Sequence, residues 1–284
     1  MLRFDAYTAT SSELTVQDAK ELVLSGGWRI DAKPKPREGQ GFHGFEFRQA
    51  FVDYCGSEFA AVQWGGQHGE RVMLEVKGEA TGDIVRLLRE EWPHRCTRVD
   101  SCGDFDGVGE FSRLYGVCTQ VKREHGILGG KAGDWDDFPE KGRTLYLGSR
   151  TSAVRVRLYE KGKQPEYIHL ERPDWVRLEI QVRPKKEAKV AFAALSPEEV
   201  WGASKWTSAL HSRLLGGHVD PHPAGTVYRL TDDERSFEWF CTQYEGVLTR
   251  QAEACGGWEA VGLNIGEKIA ELQARRARRG GAGA

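Results

Sequence analysis

The chain has 284 residues, 39% of them hydrophobic and 29% charged, with 34 Gly, 9 Trp and only 2 Met. Plentiful aromatics and the lack of a long heptad run exclude collagen-like, disordered and coiled-coil classes, and no apolar stretch approaches the roughly 20 residues that span a bilayer. The 40 Lys and Arg nearly balance the 42 Asp and Glu, but the sum conceals a segregation.

Residues 141–189 hold 13 basic and 6 acidic side chains, whereas residues 100–140 hold 9 acidic and 4 basic ones. A basic block in a neutral chain suggests a focused anionic partner, although a solvated charged face has the same composition. The start, Met1-Leu2-Arg3-Phe4-Asp5, lacks the layout of a signal peptide, so the expected location is the cytoplasm. Six scattered cysteines without a Cys-x-x-Cys pair are expected to be free thiols, mostly buried.

In chain order, Val16, Ala19, Leu22 and Val23 predict a helix over 15–24, ended by Gly26-Gly27. A Pro- and Lys-rich loop covers 33–39, and strands are expected over 44–48, 59–64 and 71–77. A helix over 83–92 is stopped by Pro93. A strand over 96–102, a helix over 109–125 and a Gly/Asp-rich loop over 126–141 follow. Strands over 144–148 and 154–159 form a hairpin turning at 149–152, and another strand runs over 175–183. Ser196-Pro197-Glu198-Glu199 has the capping hydroxyl, proline and acids of a helix start, and most of the remainder reads as helical. No internal repeat is found.

Four segments result: an N-terminal helix and linker (1–40), an α+β core (41–190), a helical C-terminal region (191–270) and a disordered basic tail (271–284). The expected fold class is α+β, a central antiparallel sheet with helices on one face.

Parity along three strands is the most informative pattern. In 154–161 the odd positions are Arg155, Arg157, Tyr159 and Lys161, while Val154, Val156 and Leu158 face a core. In 175–183, Arg177, Glu179, Gln181 and Arg183 share the face opposite Val176, Leu178, Ile180 and Val182. Arg98 and Asp100 share a face in 97–102. If these strands are neighbours, Asp100 and Glu179 suit a hard divalent cation, and a tyrosine beside it suits attack on phosphorus. The same alternation is also ordinary for a half-solvated antiparallel sheet.

These blocks resemble the motifs of the Rep_trans family, the rolling-circle replication initiators of plasmids and filamentous phages, which also includes relaxases of mobile elements. Arg98-Val99-Asp100 with Asp104 is similar to its Arg-x-Asp-x-x-x-Asp strand. Thr144-Leu145-Tyr146-Leu147-Gly148-Ser149-Arg150 is similar to its Thr-x-Tyr-x-Gly-Ser-Arg hairpin. Arg157-Leu158-Tyr159-Glu160-Lys161 is similar to its Arg-x-Tyr-Asp-Lys block, with Glu160 in place of Asp, and Arg177-Leu178-Glu179-Ile180-Gln181 to its Arg-x-Glu-x-Gln strand. A weaker echo lies at 73–79, and residues beyond 183 carry no matching motif.

The resemblance implies an HUH-endonuclease-like core, without the His-hydrophobic-His triplet, and a metal-dependent nickase and strand transferase. Tyr159 is the implied nucleophile, forming a 5′-phosphotyrosine and a free 3′-hydroxyl, with Lys161 and Arg157 at the scissile phosphate and their charge favouring the phenolate. Asp100, Glu179 and, more weakly, Asp104 are the implied ligands for Mg²⁺ or Mn²⁺. Arg98, Arg143, Arg150, Arg155, Arg177, Gln181 and Arg183 are the expected DNA contacts, and Tyr146 is the alternative nucleophile. The expected partners are single-stranded or supercoiled origin DNA, a host helicase and replication machinery, with a homodimer compatible and no membrane. A conjugative relaxase or a non-catalytic DNA-binding regulator are the alternatives. His218 and His222 read as loop punctuation, residues 103–107 lack the ligands of a calcium loop, and Trp201 and Trp206 read as core.

Overall fold

The computed structural model of the chain describes residues 1–137, 141–225 and 232–280, which fall into two compact units, Met1–Val227 and Tyr228–Ala284. The first is built on one antiparallel sheet. Its strands are β1 (Arg3–Ser11), β2 (Lys33–Pro34), β3 (Gly39–Gln40), β4 (Phe47–Val52), β5 (Glu58–Trp64), β6 (Val72–Lys77), β7 (Arg95–Asp106), β8 (Gly129–Gly133), β9 (Arg143–Leu147), β10 (Val154–Glu160) and β11 (Trp175–Val182). The order is β2-β4-β5-β6-β1-β7-β11-β10-β9-β8, with β3 paired to β4.

Among the described residues of this unit the α-helices are α1 (Val16–Gly26), α2 (Thr81–Glu91), α3 (Glu110–Glu124), α4 (Ala188–Ala191) and α5 (Lys205–Leu214). Thr15 caps α1 by accepting from the Asp18 N–H at 3.1 Å. Gly26 lets α1 and α2 approach closely, since a Cβ there would lie 2.4 Å from Ile84 Cγ1. The apolar stripes of these helices, including Leu22, Ile84, Leu88, Leu114 and Val121, pack on Tyr7, Leu74, Val99, Leu158 and Ile180 of the sheet. Each such fully buried aliphatic side chain contributes about 1.5–3 kcal/mol. With that face sealed, the polar residues of the same strands are left on the other.

The α+β class, the antiparallel sheet and the C-terminal helices agree with the sequence reading; three local readings are corrected. No strand was expected before residue 44, yet β1 sits between β6 and β7 near the middle of the sheet. The loop expected over 126–141 contains β8, whose backbone pairs with β9 although all five residues are exposed. The helix expected from Ser196 is a 3-10 turn, Glu199–Ala203, even though Ser196 and Glu199 exchange the capping bonds that the sequence suggested. Trp201 is core, as expected, and its indole N–H donates to Ser101 Oγ at 3.2 Å. All six cysteines are free, and Cys96, Cys102 and Cys118 are buried.

Residues 191–225, read from sequence as part of the C-terminal helical region, lie in the first unit. The second contains α6 (Asp232–Cys255) and α7 (Trp258–Gly280), joined at Gly256-Gly257, both at positive φ. Ala252 and Val261 are buried in this unit. Helix α7 continues to Gly280, so residues 271–280 are helical where a disordered tail was expected; residues 281–284 lie outside the described part. No helix among the described residues is long and apolar enough to cross a membrane.

Candidate active site

Strands β7, β11 and β10 are consecutive neighbours, and their register aligns the polar parity of all three. Arg157 stands opposite Glu179, Tyr159 opposite Arg177 and Arg155 opposite Gln181. Gln181 in turn faces Asp100, and Arg177 faces Asp104. Tyr146 of β9 lies opposite Arg157, which places it on the same face. The structure thus brings Asp100, Glu179, Tyr159, Arg157 and Gln181 together.

The Tyr159 hydroxyl donates to Glu179 Oε2 at 3.3 Å, and Arg157 Nη2 donates to the same oxygen at 2.9 Å. The Arg157 guanidinium also covers the Tyr159 ring, 4.4 Å from its centroid. Tyr159 is only 3% exposed. Burial and the nearby Glu179 carboxylate push its phenol far above the ordinary range, against the smaller opposing pull of Arg157 and Arg177. Arg157 does act in the expected direction, toward the phenolate, but desolvation outweighs it and the phenol is neutral in this arrangement. Glu179 is also raised, first by burial and then by the Asp100 carboxylate, against Arg157.

Beyond Tyr159 the groups are differently engaged. Arg177, 2% exposed, donates to Asp104 at 2.7 and 3.0 Å and to Asp5 at 2.6 Å. It is tied up in the sheet, and its expected role as a DNA contact is corrected. Asp104, which also pairs with Arg3 at 2.6 Å, is held to about 2, with these guanidinium partners outweighing its burial. Both Asp104 oxygens are thus taken up by the guanidinium groups of Arg177 and Arg3. Asp5, on the unforeseen β1, was missed by sequence reasoning.

Lys161 follows β10 and is buried, its ammonium 4.3 Å from the Tyr167 ring centroid and 5.1 Å from that of Trp175. Burial lowers its pKa to about 8, with Arg177 acting in the same direction. Gly162 fixes this turn, because a Cβ there would meet the Arg172 carbonyl oxygen at 1.7 Å.

Toward the β9–β10 turn, Arg98, Arg155, Arg157, Glu179 and Gln181 line an open cleft of about 70 Å³. Arg155 lies 4.1 Å over the Tyr146 ring, and Arg183 Nη1 donates to the Arg150 carbonyl at 3.1 Å. Arg143 does not belong here. It shares the parity of Leu145 and Leu147, packs 4.3 Å over Phe111 of α3, and binds Glu160 through Nε at 2.9 Å and Nη2 at 3.0 Å. Its expected DNA role is corrected to a clamp on the helix-covered face, which also explains a carboxylate after Tyr159.

For a divalent cation, the donor set is Asp100 and Glu179, both nearly fully buried on adjacent strands, with Gln181 Nε2 donating to Asp100 Oδ2 at 3.2 Å. The upward shift of Glu179 caused partly by Asp100 records a carboxylate pair that a cation would relieve. Among the described residues no three His, Cys, Asp or Glu side chains form a ligand cluster. Two carboxylates fit Mg²⁺, which commonly keeps waters and takes its remaining oxygens from a phosphate substrate. Arg98 pairs with Asp100 and Arg157 with Glu179, so cation binding has to displace or share these guanidinium groups.

Residues 110–240 match the model of the family Rep_trans, replication initiation factor. The match spans the β9, β10 and β11 blocks and bears out the resemblance read from them. It starts beyond Asp100 and Asp104, and it continues past residue 183, where no motif was recognised. No curated protein matches the chain. Among solved structures, the chain is similar to the rolling circle replication initiator protein from Geobacillus stearothermophilus, with 19% identity and a TM-score of 0.45, covering 71% of this chain and 83% of that one.

Proposed function

We propose that this chain, with its Rep_trans replication initiation segment, is a rolling-circle initiator that nicks one strand of origin DNA through Tyr159. The observation that carries this reading is the cross-strand group of Tyr159, Glu179 and Arg157 beside an arginine-lined cleft.

The Tyr159 oxygen bonds to phosphorus while the bond from phosphorus to the 3′ oxygen breaks, leaving a 5′-phosphotyrosine and a 3′-hydroxyl. The phenol proton passes to Glu179 Oε2, its present acceptor. When the phosphate draws Arg157 toward itself, Glu179 loses its cationic partner and becomes the stronger base. Arg157 then opposes the charge that develops on the phosphoryl oxygens. Water protonates the departing 3′ oxygen. Asp100 and Glu179 would hold a Mg²⁺ or Mn²⁺ ion, which polarises the phosphoryl group when bound.

The near-complete burial of Tyr159 favours one second reading, a DNA-binding regulator in which its hydroxyl is dispensable. Incubation with single-stranded or supercoiled origin DNA and Mg²⁺ or Mn²⁺, followed by a denaturing gel, separates the two. Nicking predicts a covalent adduct lost in Tyr159→Phe. DNA binding without an adduct under either metal supports the regulator.

A further inference from the structure

The polar face is asymmetric about Tyr159 along β10. In one direction lie Asp5, Asp104 and Asp106, with Arg177 bound to the first two and Arg172 to the third. Lys161, two residues beyond Tyr159 on that side, is buried against Tyr167 and Trp175. In the other direction come Arg157, Arg155 and then Arg150 and Arg183, the last two joined by a hydrogen bond at the turn. Among the described residues, Arg150, Arg155 and Arg183 have no carboxylate partner.

The cleft also contains unmet donors. The Nε atoms of Arg155 and Arg157 are buried without a hydrogen-bond partner. An unsatisfied buried donor costs about 1–3 kcal/mol, and a guanidinium is well suited to a bidentate phosphate contact. Burial and the positive charges of Arg150, Arg157 and Arg183 press the Arg155 pKa down, a repulsion that an anion would relieve. Alternate residues of a strand are about 6.6 Å apart, comparable with one nucleotide step of an extended single strand.

We infer that β10 is a phosphate ladder: from the phosphate at Tyr159 and Arg157, the DNA backbone runs toward the β9–β10 turn, with the adjoining phosphate on Arg155 and the next on Arg150 and Arg183. This rests on the nicking reading and adds the path of the strand. Among the described residues, the other direction offers an approaching phosphate no unpaired exposed guanidinium. Arg155 touches no reacting atom and is a positioning residue for the strand that Tyr159 attacks.

Binding of an oligothymidylate to the full chain, measured by fluorescence anisotropy across a salt series, tests the path. Each lost phosphate contact on a single strand reduces the slope of log K against log salt by about 0.7. Arg155→Gln is expected to reduce it by about 0.7, and Arg155→Gln with Arg183→Gln by about 1.4. Arg155→Lys should restore most of the slope, which a purely structural packing role would not produce. Arg86→Gln, on the exposed surface of α2, should leave it unchanged. The half-buried Arg183, varied alone as Arg183→Gln, keeps the test decisive should Arg155→Gln fold poorly. Unchanged slopes in Arg155→Gln and Arg183→Gln, with binding and the Tyr159 adduct intact, overturn the path alone. A chain that neither binds the oligonucleotide nor forms an adduct on origin DNA overturns the nicking reading and the path together.

Discussion

Arg177 and Arg155 lie on the same face of the sheet, on neighbouring strands, and do opposite work. Arg177 is buried and surrounded by Asp5 and Asp104, so its charge is consumed in joining β11 to β1 and β7. Arg155 has no carboxylate partner among the described residues and lines an open cleft. Residue type does not separate them; the strand next door does. An arginine that faces aspartates across the register stabilises the sheet, while one beside glutamine and tyrosine keeps its charge for an anion.

Variants on each side should therefore fail differently. The largest expected effect is Glu179→Gln, which removes the proton acceptor and a carboxylate: nicking should fall by about 10²–10⁴-fold in a timed plasmid assay. The melting temperature should change little, because Arg157 is half-exposed and reaches water. Arg177→Met should do the reverse, costing about 3–5 kcal/mol in denaturant unfolding by leaving Asp5 and Asp104 without their buried partner. Equal damage to folding by both variants would erase the division between the two ends.

Acid titration sharpens it further. Asp104 is held at about 2 against an ordinary 3.8, so its contribution to stability is complete above the ordinary value and is lost as pH falls from about 4 to about 2. At about 1.4 kcal/mol per unit, this is on the order of 2 kcal/mol. Asp104→Asn should remove that part of the acid dependence, and an unchanged profile by thermal melts would contradict the pairing. The smallest effect belongs to Arg155→Gln, a several-fold loss of oligonucleotide affinity at physiological salt with no change in acid stability.

Much of the site was legible because period-two alternation is strict in β10 and β11: Val156 and Leu158 against Arg157 and Tyr159 can be satisfied only by one sealed face. The same rule places Arg143 with Leu145 and Leu147, yet the family resemblance put it among the expected DNA contacts. Strand β1 was not legible. Its run Arg3-Phe4-Asp5-Ala6-Tyr7-Thr8 carries an irregularity between Phe4 and Ala6 that breaks the alternation, and its pairing with Arg177 spans 172 positions. Strand β8 has no apolar side to detect, since Gly129, Gly130 and Gly133 contribute only backbone. Nor could parity reveal that Tyr159 is buried, because it reports which face a side chain shares and not how deeply its neighbours enclose it.

The most direct measurement maps the DNA-linked peptide after reaction with origin DNA and Mg²⁺ or Mn²⁺. The account predicts a single adduct on Tyr159, absent in Tyr159→Phe and strongly reduced in Glu179→Gln. An adduct on Tyr146, or nicking that survives Tyr159→Phe unchanged, would contradict it.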